Sequence, residues 1–138
     1  MEISTELLNE IADNLEMGFR CFLNKKSPAI ITYPNEDNSL NFEPEMWTSE
    51  ISAVKEAKKD IIEIENLTPS DSFKIVEEFI LTVEDPDFQK TLSDSIQIRK
   101  PFANFKFLIE SSNTERNRWF DFKKQWYIEW VKNQISFL

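Results

Sequence analysis

The sequence contains no histidine, one glycine (Gly18) and one cysteine (Cys21) in 138 residues. Without histidine there is no Ser–His–Asp triad, no Cys–His pair and no imidazole general base. Zinc sites that use histidine are excluded with it, and a single cysteine cannot supply a cysteine-rich one. A P-loop and a dinucleotide-binding turn each need at least two glycines, so neither can be written. A lone thiol forms no internal disulfide, which fits a reducing compartment. The opening Met1-Glu2-Ile3-Ser4-Thr5-Glu6 has neither the basic start nor the apolar run of a secretory signal. No apolar stretch reaches the ~18–20 residues of a membrane span. The expectation is a soluble, cytoplasmic protein without a membrane partner. Asn66-Leu67-Thr68 matches the glycosylation sequon, a match that is empty off the secretory route.

Positive charge is the scarcer sign. The chain has 16 Lys+Arg against 25 Asp+Glu, a formal net charge of −9, with 41% hydrophobic and 13% aromatic residues. Such a composition builds a core, and the length suits a single domain over residues 1–138. It is too aromatic for a disordered or collagen-like chain. An acidic chain is a poor default partner for nucleic acid or an anionic membrane, but here the charge is uneven. Residues 1–98 hold 8 Lys+Arg and 21 Asp+Glu, a net of −13, whereas residues 99–138 hold 8 and 4, a net of +4. That last segment also carries 10 of the 18 aromatics.

Leu8, Ile11, Ala12 and Leu15 fall at helical spacing, so Thr5 to Leu15 reads as an amphipathic helix. The period then changes. Met17, Phe19, Cys21 and Leu23 alternate with Gly18, Arg20, Phe22 and Asn24, a strand signal. A helix continuing from Leu8 to Leu23 competes with it, because Phe19, Phe22 and Leu23 also suit a helical face. Asn24 to Pro28 has turn chemistry and Ala29-Ile30-Ile31-Thr32-Tyr33 is β-rich, so the strand reading makes a hairpin with a loop of about five residues. Pro34 to Pro44, with Asn35, Asp37, Asn38 and Ser39, reads as a surface loop. A short helix is expected from about Thr48 to Lys59, and a third strand over Asp60–Glu65 with Ile62 and Ile64 on one face. The remainder is helical. Thr68, Pro69 and Asp71 open one helix with a capping-box start, and Asp85-Pro86 opens another. Pro101 opens a third with Phe102, Phe105, Leu108 and Ile109 inward. Ser112 and Glu115 precede a long last helix in which Trp119, Trp126 and Trp130 are expected to be mostly buried.

Arg99-Lys100-Pro101-Phe102-Ala103-Asn104-Phe105-Lys106, then Trp119-Phe120-Asp121-Phe122, then Trp130, resembles uncharacterised protein family 0158. In that bacterial family a basic residue precedes a Phe-x-x-Phe-Lys stretch and an aromatic-rich helix ending in Trp. Leu67-Thr68-Pro69-Ser70, running into a helix that ends in Phe79-Ile80, is similar to the family's upstream segment. The resemblance spans roughly residues 60–132 and extends loosely to the hairpin, where Asn24-Lys25-Lys26-Ser27-Pro28 replaces the family's Thr-Gly turn. It implies a fold and a bacterial origin. No activity is attached to the family, so no catalytic residue carries over.

Candidate chemistry is sparse. Glu77, Glu78, Glu84, Asp85 and Asp87 form the densest carboxylate group, and a hard cation takes oxygen ligands. Helix capping and an acidic first turn account for Asp85 and Asp87 more simply. Glu43, Glu45 and Glu50 near Trp47 lack the defined separation of a glycosidase pair and read as a solvated face. Cys21, in an apolar alternation, reads as a buried structural thiol. The tract from Arg99 to Lys132 interleaves cations with aromatics, the pattern of single-strand nucleic-acid binding. Helical spacing instead places Phe102, Phe105, Trp119, Phe122, Trp126 and Trp130 in a core, while Phe107 and Phe120 fit their stripes less well. Both readings stay open.

These observations predict an α+β domain, with a small antiparallel sheet of about three strands, about six helices and an all-helical C-terminal half. The function that fits is a non-enzymatic interaction or regulatory module with a basic, aromatic C-terminal surface. Its candidate binding residues are Arg99, Lys100, Phe102, Lys106, Arg116, Arg118 and Lys123, facing an acidic protein or a nucleic-acid phosphate. No catalytic residue, metal ligand or cofactor is assigned. The alternative is a histidine-free enzyme using carboxylates and Mg²⁺.

Overall fold

The Ser4 hydroxyl accepts a hydrogen bond from the Leu7 N–H at 3.1 Å and starts α1 (Thr5–Glu16), whose inward face buries Ile11, Ala12 and Leu15. This computed structural model describes residues 2–37 and 42–138. Among them are six α-helices and one three-stranded antiparallel sheet, with only helices after the last strand: an α+β fold. Two compact units are present, Met1–Asn66 with Tyr127–Leu138, and Leu67–Trp126.

In the first unit the helix gives way to a strand at the chain's single glycine. Gly18 has φ +81° and its N–H donates to the Leu15 carbonyl at 3.0 Å. An L-residue resists that left-handed conformation, so α1 ends there and no helix runs on to Leu23. β1 (Phe19–Asn24) pairs antiparallel with β2 (Ile30–Pro34) and with β3 (Ile61–Ile64), in the order β2-β1-β3. The hairpin loop is closed by Asn24, whose Oδ1 accepts from the Lys26 and Ser27 N–H groups at 2.8 and 3.0 Å. Asn35 makes a similar turn with the Asp37 N–H at 2.9 Å, while Asn38 and Ser39 of the expected loop lie outside the described residues. A 3₁₀ turn (Pro44–Trp47) then leads into α2 (Thr48–Glu56).

Cys21, Phe22 and Leu23 are all buried rather than alternately so, because both faces of β1 are covered. Register places Cys21 opposite Ile64 and Leu23 opposite Ile62, on the face covered by Ile11, Leu15, Val131 and Ile135. Each such side chain removed from water contributes ~1.5–3 kcal/mol. On the other face Phe22 stacks on Tyr33 at 5.5 Å, and the Arg20 guanidinium lies 5.1 and 5.4 Å from the two ring centroids. Arg20 donates to both Glu63 carboxylate oxygens at 2.9 Å and to Glu36 at 3.2 Å. The Glu63 hydrogen bond is the largest influence holding that guanidinium further in its charged form.

The second unit begins with α3 (Pro69–Ile80). Thr68 Oγ1 accepts from the Asp71 N–H at 3.1 Å, and the Asp71 carboxylate accepts from the Thr68 N–H at 3.0 Å. That backbone bond, then the Thr68 hydroxyl, holds the Asp71 carboxyl below its ordinary range. Asp85 caps α4 (Pro86–Ser95) through the Asp87 and Phe88 N–H groups. α5 (Pro101–Ile109) and the first part of α6 (Asn113–Ile135) complete the unit. Phe79 is its hub, with the rings of Trp119, Phe122 and Phe105 at 5.3, 5.5 and 6.2 Å.

Trp119, Trp126 and Trp130 are mostly but not fully buried, as expected. An indole N–H needs an acceptor, which sits at the margin of a core: Trp126 donates to Glu78 and Trp130 to the Glu65 carbonyl, each at 2.8 Å. Phe102, expected inward, is 43% exposed.

Gly18→Ala should cost about 1–2 kcal/mol by urea unfolding. The cost comes from the backbone alone, because a Cβ at this position meets nothing within 4 Å. Alkaline titration probes the first unit separately. Burial, then the charges of Glu10 and Glu63, pushes the Cys21 thiol up to about 12, and burial, then Glu16, does the same to the Tyr127 phenol. Below the ordinary thiol and phenol values both groups are neutral folded or unfolded, and stability is unaffected. Above those values only the unfolded chain ionises. Stability should fall by roughly 1.4 kcal/mol per pH unit for each group until the folded values are reached. Urea midpoints measured from pH 8 to 12 check this.

Candidate functional site

Residues 96–107 leave the core abruptly. Ile96 closes α4 and is buried, whereas Ile98 is 65% exposed. Lys100 has φ +60° and ψ 55°, and it is the one non-glycine among the described residues at positive φ. Pro101 follows at the first helical position, where no N–H is required. The turn is held from within α5: the Asn104 amide donates to the Ser95 carbonyl at 3.0 Å and to the Arg99 carbonyl at 2.9 Å.

α5 has nine residues and its sequence, PFANFKFLI, is apolar on more than one side. Phe105 and Ile109 take the inward positions. Phe102, Ala103, Lys106 and Phe107 are exposed, with Lys106 one turn after Phe102 and Phe107 one turn after Ala103. Phe107 is 78% exposed, and Phe102 keeps one edge against Phe73 at 6.3 Å. Arg99, Lys100 and Lys106 are exposed and make no ion pair among the described residues. Arg99 and Lys100 stand at the helix start, where the macrodipole opposes positive charge.

The other cations sit on α6. Arg116 lies 5.0 Å from the centroid of Phe120, and Lys123 lies 5.5 and 5.7 Å from those of Trp119 and Phe120. Arg118 belongs to the fold of its unit. It donates to Glu115 at 2.5 Å and to the Thr82 hydroxyl and carbonyl at 2.9 and 3.2 Å, with its guanidinium over Phe79. The structure therefore gathers Arg99, Lys100, Phe102 and Lys106 into one stretch. It places Arg116 and Lys123 around Phe120, and Arg118 against the turn after α3. Ile98, before the turn, and Phe107, on α5, are exposed as well. The failure of Phe107 to fit its helical stripe was a readable sign of this, whereas Ile98 carried none.

The carboxylate groups are dispersed. Asp85 caps a helix and Glu78 accepts from Trp126, and among the described residues no three Cys, Asp or Glu side chains come together as metal ligands. Of Glu43, Glu45 and Glu50, only Glu50 lines the open groove of about 440 Å³ beside Trp47. Among the described residues no helix is long and apolar enough to cross a membrane.

The profile of the Uncharacterised protein family (UPF0158) matches residues 3–138. A UPF0158 protein of Pseudomonas aeruginosa is 25% identical over 89 residues, covering 61% of this chain and 58% of that protein. The match thus spans less than two-thirds of that curated relative. No solved structure matches the chain.

The contrast among the cations is testable. Arg118→Ala removes bonds to a carboxylate and a carbonyl at a partly exposed site, and should lower stability by about 1–2 kcal/mol in urea unfolding. Arg99→Ala and Lys106→Ala should each stay within about 0.5 kcal/mol of the parent.

Proposed function

The chain belongs to the Uncharacterised protein family (UPF0158), a membership that brings no assigned activity, and from that premise we propose that it is a non-enzymatic, cytoplasmic interaction module whose α5 surface takes an acidic segment of a protein partner. One observation carries the reading: Phe107, 78% exposed, follows exposed Lys106 on α5, a short helix that starts just after Arg99 and Lys100, and none of these three cations makes an ion pair among the described residues. Burying one such aromatic on binding contributes ~1.5–3 kcal/mol. Each rim ion pair contributes ~0–1 kcal/mol. The ring therefore supplies affinity, while the cations select the sign of the partner and speed its approach. The lone, buried thiol fits a reducing compartment.

A protein partner is favoured over nucleic acid for two reasons. Phe102 and Phe107 can stack bases as well as side chains, but Ile98, 65% exposed, offers an aliphatic contact suited to an apolar side chain. Phosphate neutralisation dominates nucleic-acid affinity, and the three exposed cations Arg99, Lys100 and Lys106 neutralise few phosphates. The test measures binding of two labelled ligands, an acidic peptide containing Leu and Phe and a single-stranded RNA of similar length. Peptide binding should weaken at least tenfold in the variant combining R99E, K100E and K106E, should weaken in F107S, and should fall with added salt. Circular dichroism should show both variants folded. Preference for the RNA would replace the protein partner with nucleic acid, and failure to bind either ligand would remove the surface altogether.

A further inference from the structure

The α5 surface has a counterpart on the same chain. Beside the start of α1 lies an open groove of about 580 Å³ with Ile3, Leu7 and Pro28 along it and Glu2, Glu6 and Glu10 at its sides. All three glutamates are exposed. Glu6 and Glu10 are one helical turn apart, about 6 Å along α1. On α5 the cations at the helix start and Lys106 are separated by about 8–9 Å along the axis. Apolar side chains stand among the charges on both surfaces, and the charges have opposite sign. Among the described residues no cation lines this groove; Lys132, which lines an adjoining groove with Glu2 and Ile3, is paired with Glu129 at 3.5 Å, and Lys26 in the hairpin loop with Asp60 at 3.2 Å.

Resting on the reading of α5 as a docking surface, we propose that its occupant is the α1 groove of a second copy of this chain. Phe107 enters between Ile3, Leu7 and Pro28, while Arg99, Lys100 and Lys106 face Glu2, Glu6 and Glu10. The contact joins two different surfaces, so it either closes into a ring or grows head to tail. Copies of like net charge repel at long range, but that repulsion is screened beyond about 10 Å at 0.1 M salt. The facing charges lie well inside that distance.

The experiment is sedimentation equilibrium of the full chain from about 10 μM to about 1 mM, a range that reports contacts as weak as ~4 kcal/mol. Two salt levels are used, about 0.1 M and about 1 M. The expected result is a weight-average mass that rises above the 16.4 kDa of one chain at the lower salt and falls back at the higher. The variant combining R99E, K100E and K106E and the variant combining E6K and E10K should each sediment as single chains. Mixed in equal amounts they should associate again, because each then meets an opposite charge. A parent that stays at the single-chain mass throughout would overturn the second-copy occupant, as would variants that associate like the parent. Acidic-peptide binding measured at low protein concentration is independent of this outcome. A monomeric chain that still binds peptide through α5 loses only the identity of its partner.

Discussion

β1 is the central strand of the sheet and is covered on both faces, so that three consecutive residues, Cys21, Phe22 and Leu23, are buried. Much of the first unit follows from it. The α1 stripe of Ile11 and Leu15, with Val131 and Ile135, closes one face. The other face has a single ring pair, Phe22 on Tyr33, and the flat guanidinium of Arg20 above it. Arg20 stays there because Glu63, one strand away, accepts two of its N–H groups in a fork that lysine could not form. The turn at Gly18 matters for the same reason: it stops α1 where the alternation of β1 has to begin.

The second unit solves a different problem with short helices. Its starts are specified locally, by Thr68 with Asp71 and by Asp85, each ahead of a proline. Caps of this kind contribute ~0.5–2 kcal/mol apiece and decide where a helix begins. They do not decide which face turns inward. Phe79, ringed by Phe105, Trp119 and Phe122, does that by offering edge-to-face contacts that accept large aromatics from α5 and α6. With Phe105 and Ile109 in the inward positions of α5, Phe107, about half a turn from Phe105, is left outside, whereas Phe102 lies on the inward stripe by its spacing and is exposed beside Phe73 at the helix start. The exposure of Phe107 is a geometric consequence of an over-apolar nine-residue helix.

Charge divides along the same lines. Cations that the sequence presents as one basic tract differ in what they touch. Arg118 is tied to Glu115 and Thr82, while Arg116 and Lys123 rest against Phe120. Arg99, Lys100 and Lys106 are exposed and make no ion pair among the described residues. A net charge of +4 over residues 99–138 is a true property of that tract, yet it says little about which residues can bind.

The residues by themselves determined the helix starts, the turn after Asn24, the third strand and the buried thiol, because caps and turn residues are local signals. They also carried the resemblance to the family, through the order and spacing of Arg99-Lys100-Pro101-Phe102 and the aromatic helix after it. Only the tertiary structure decided the strand at Phe19 over a continuing helix, since both periods fit those residues and the choice rests on pairing with Ile30–Pro34 and Ile61–Ile64. It alone also turned Phe102 outward and left the three tryptophans at the margin. Burial is a competition among all the apolar side chains for a limited interior, and a one-dimensional period ranks the candidates on one helix without knowing what its neighbours have already filled.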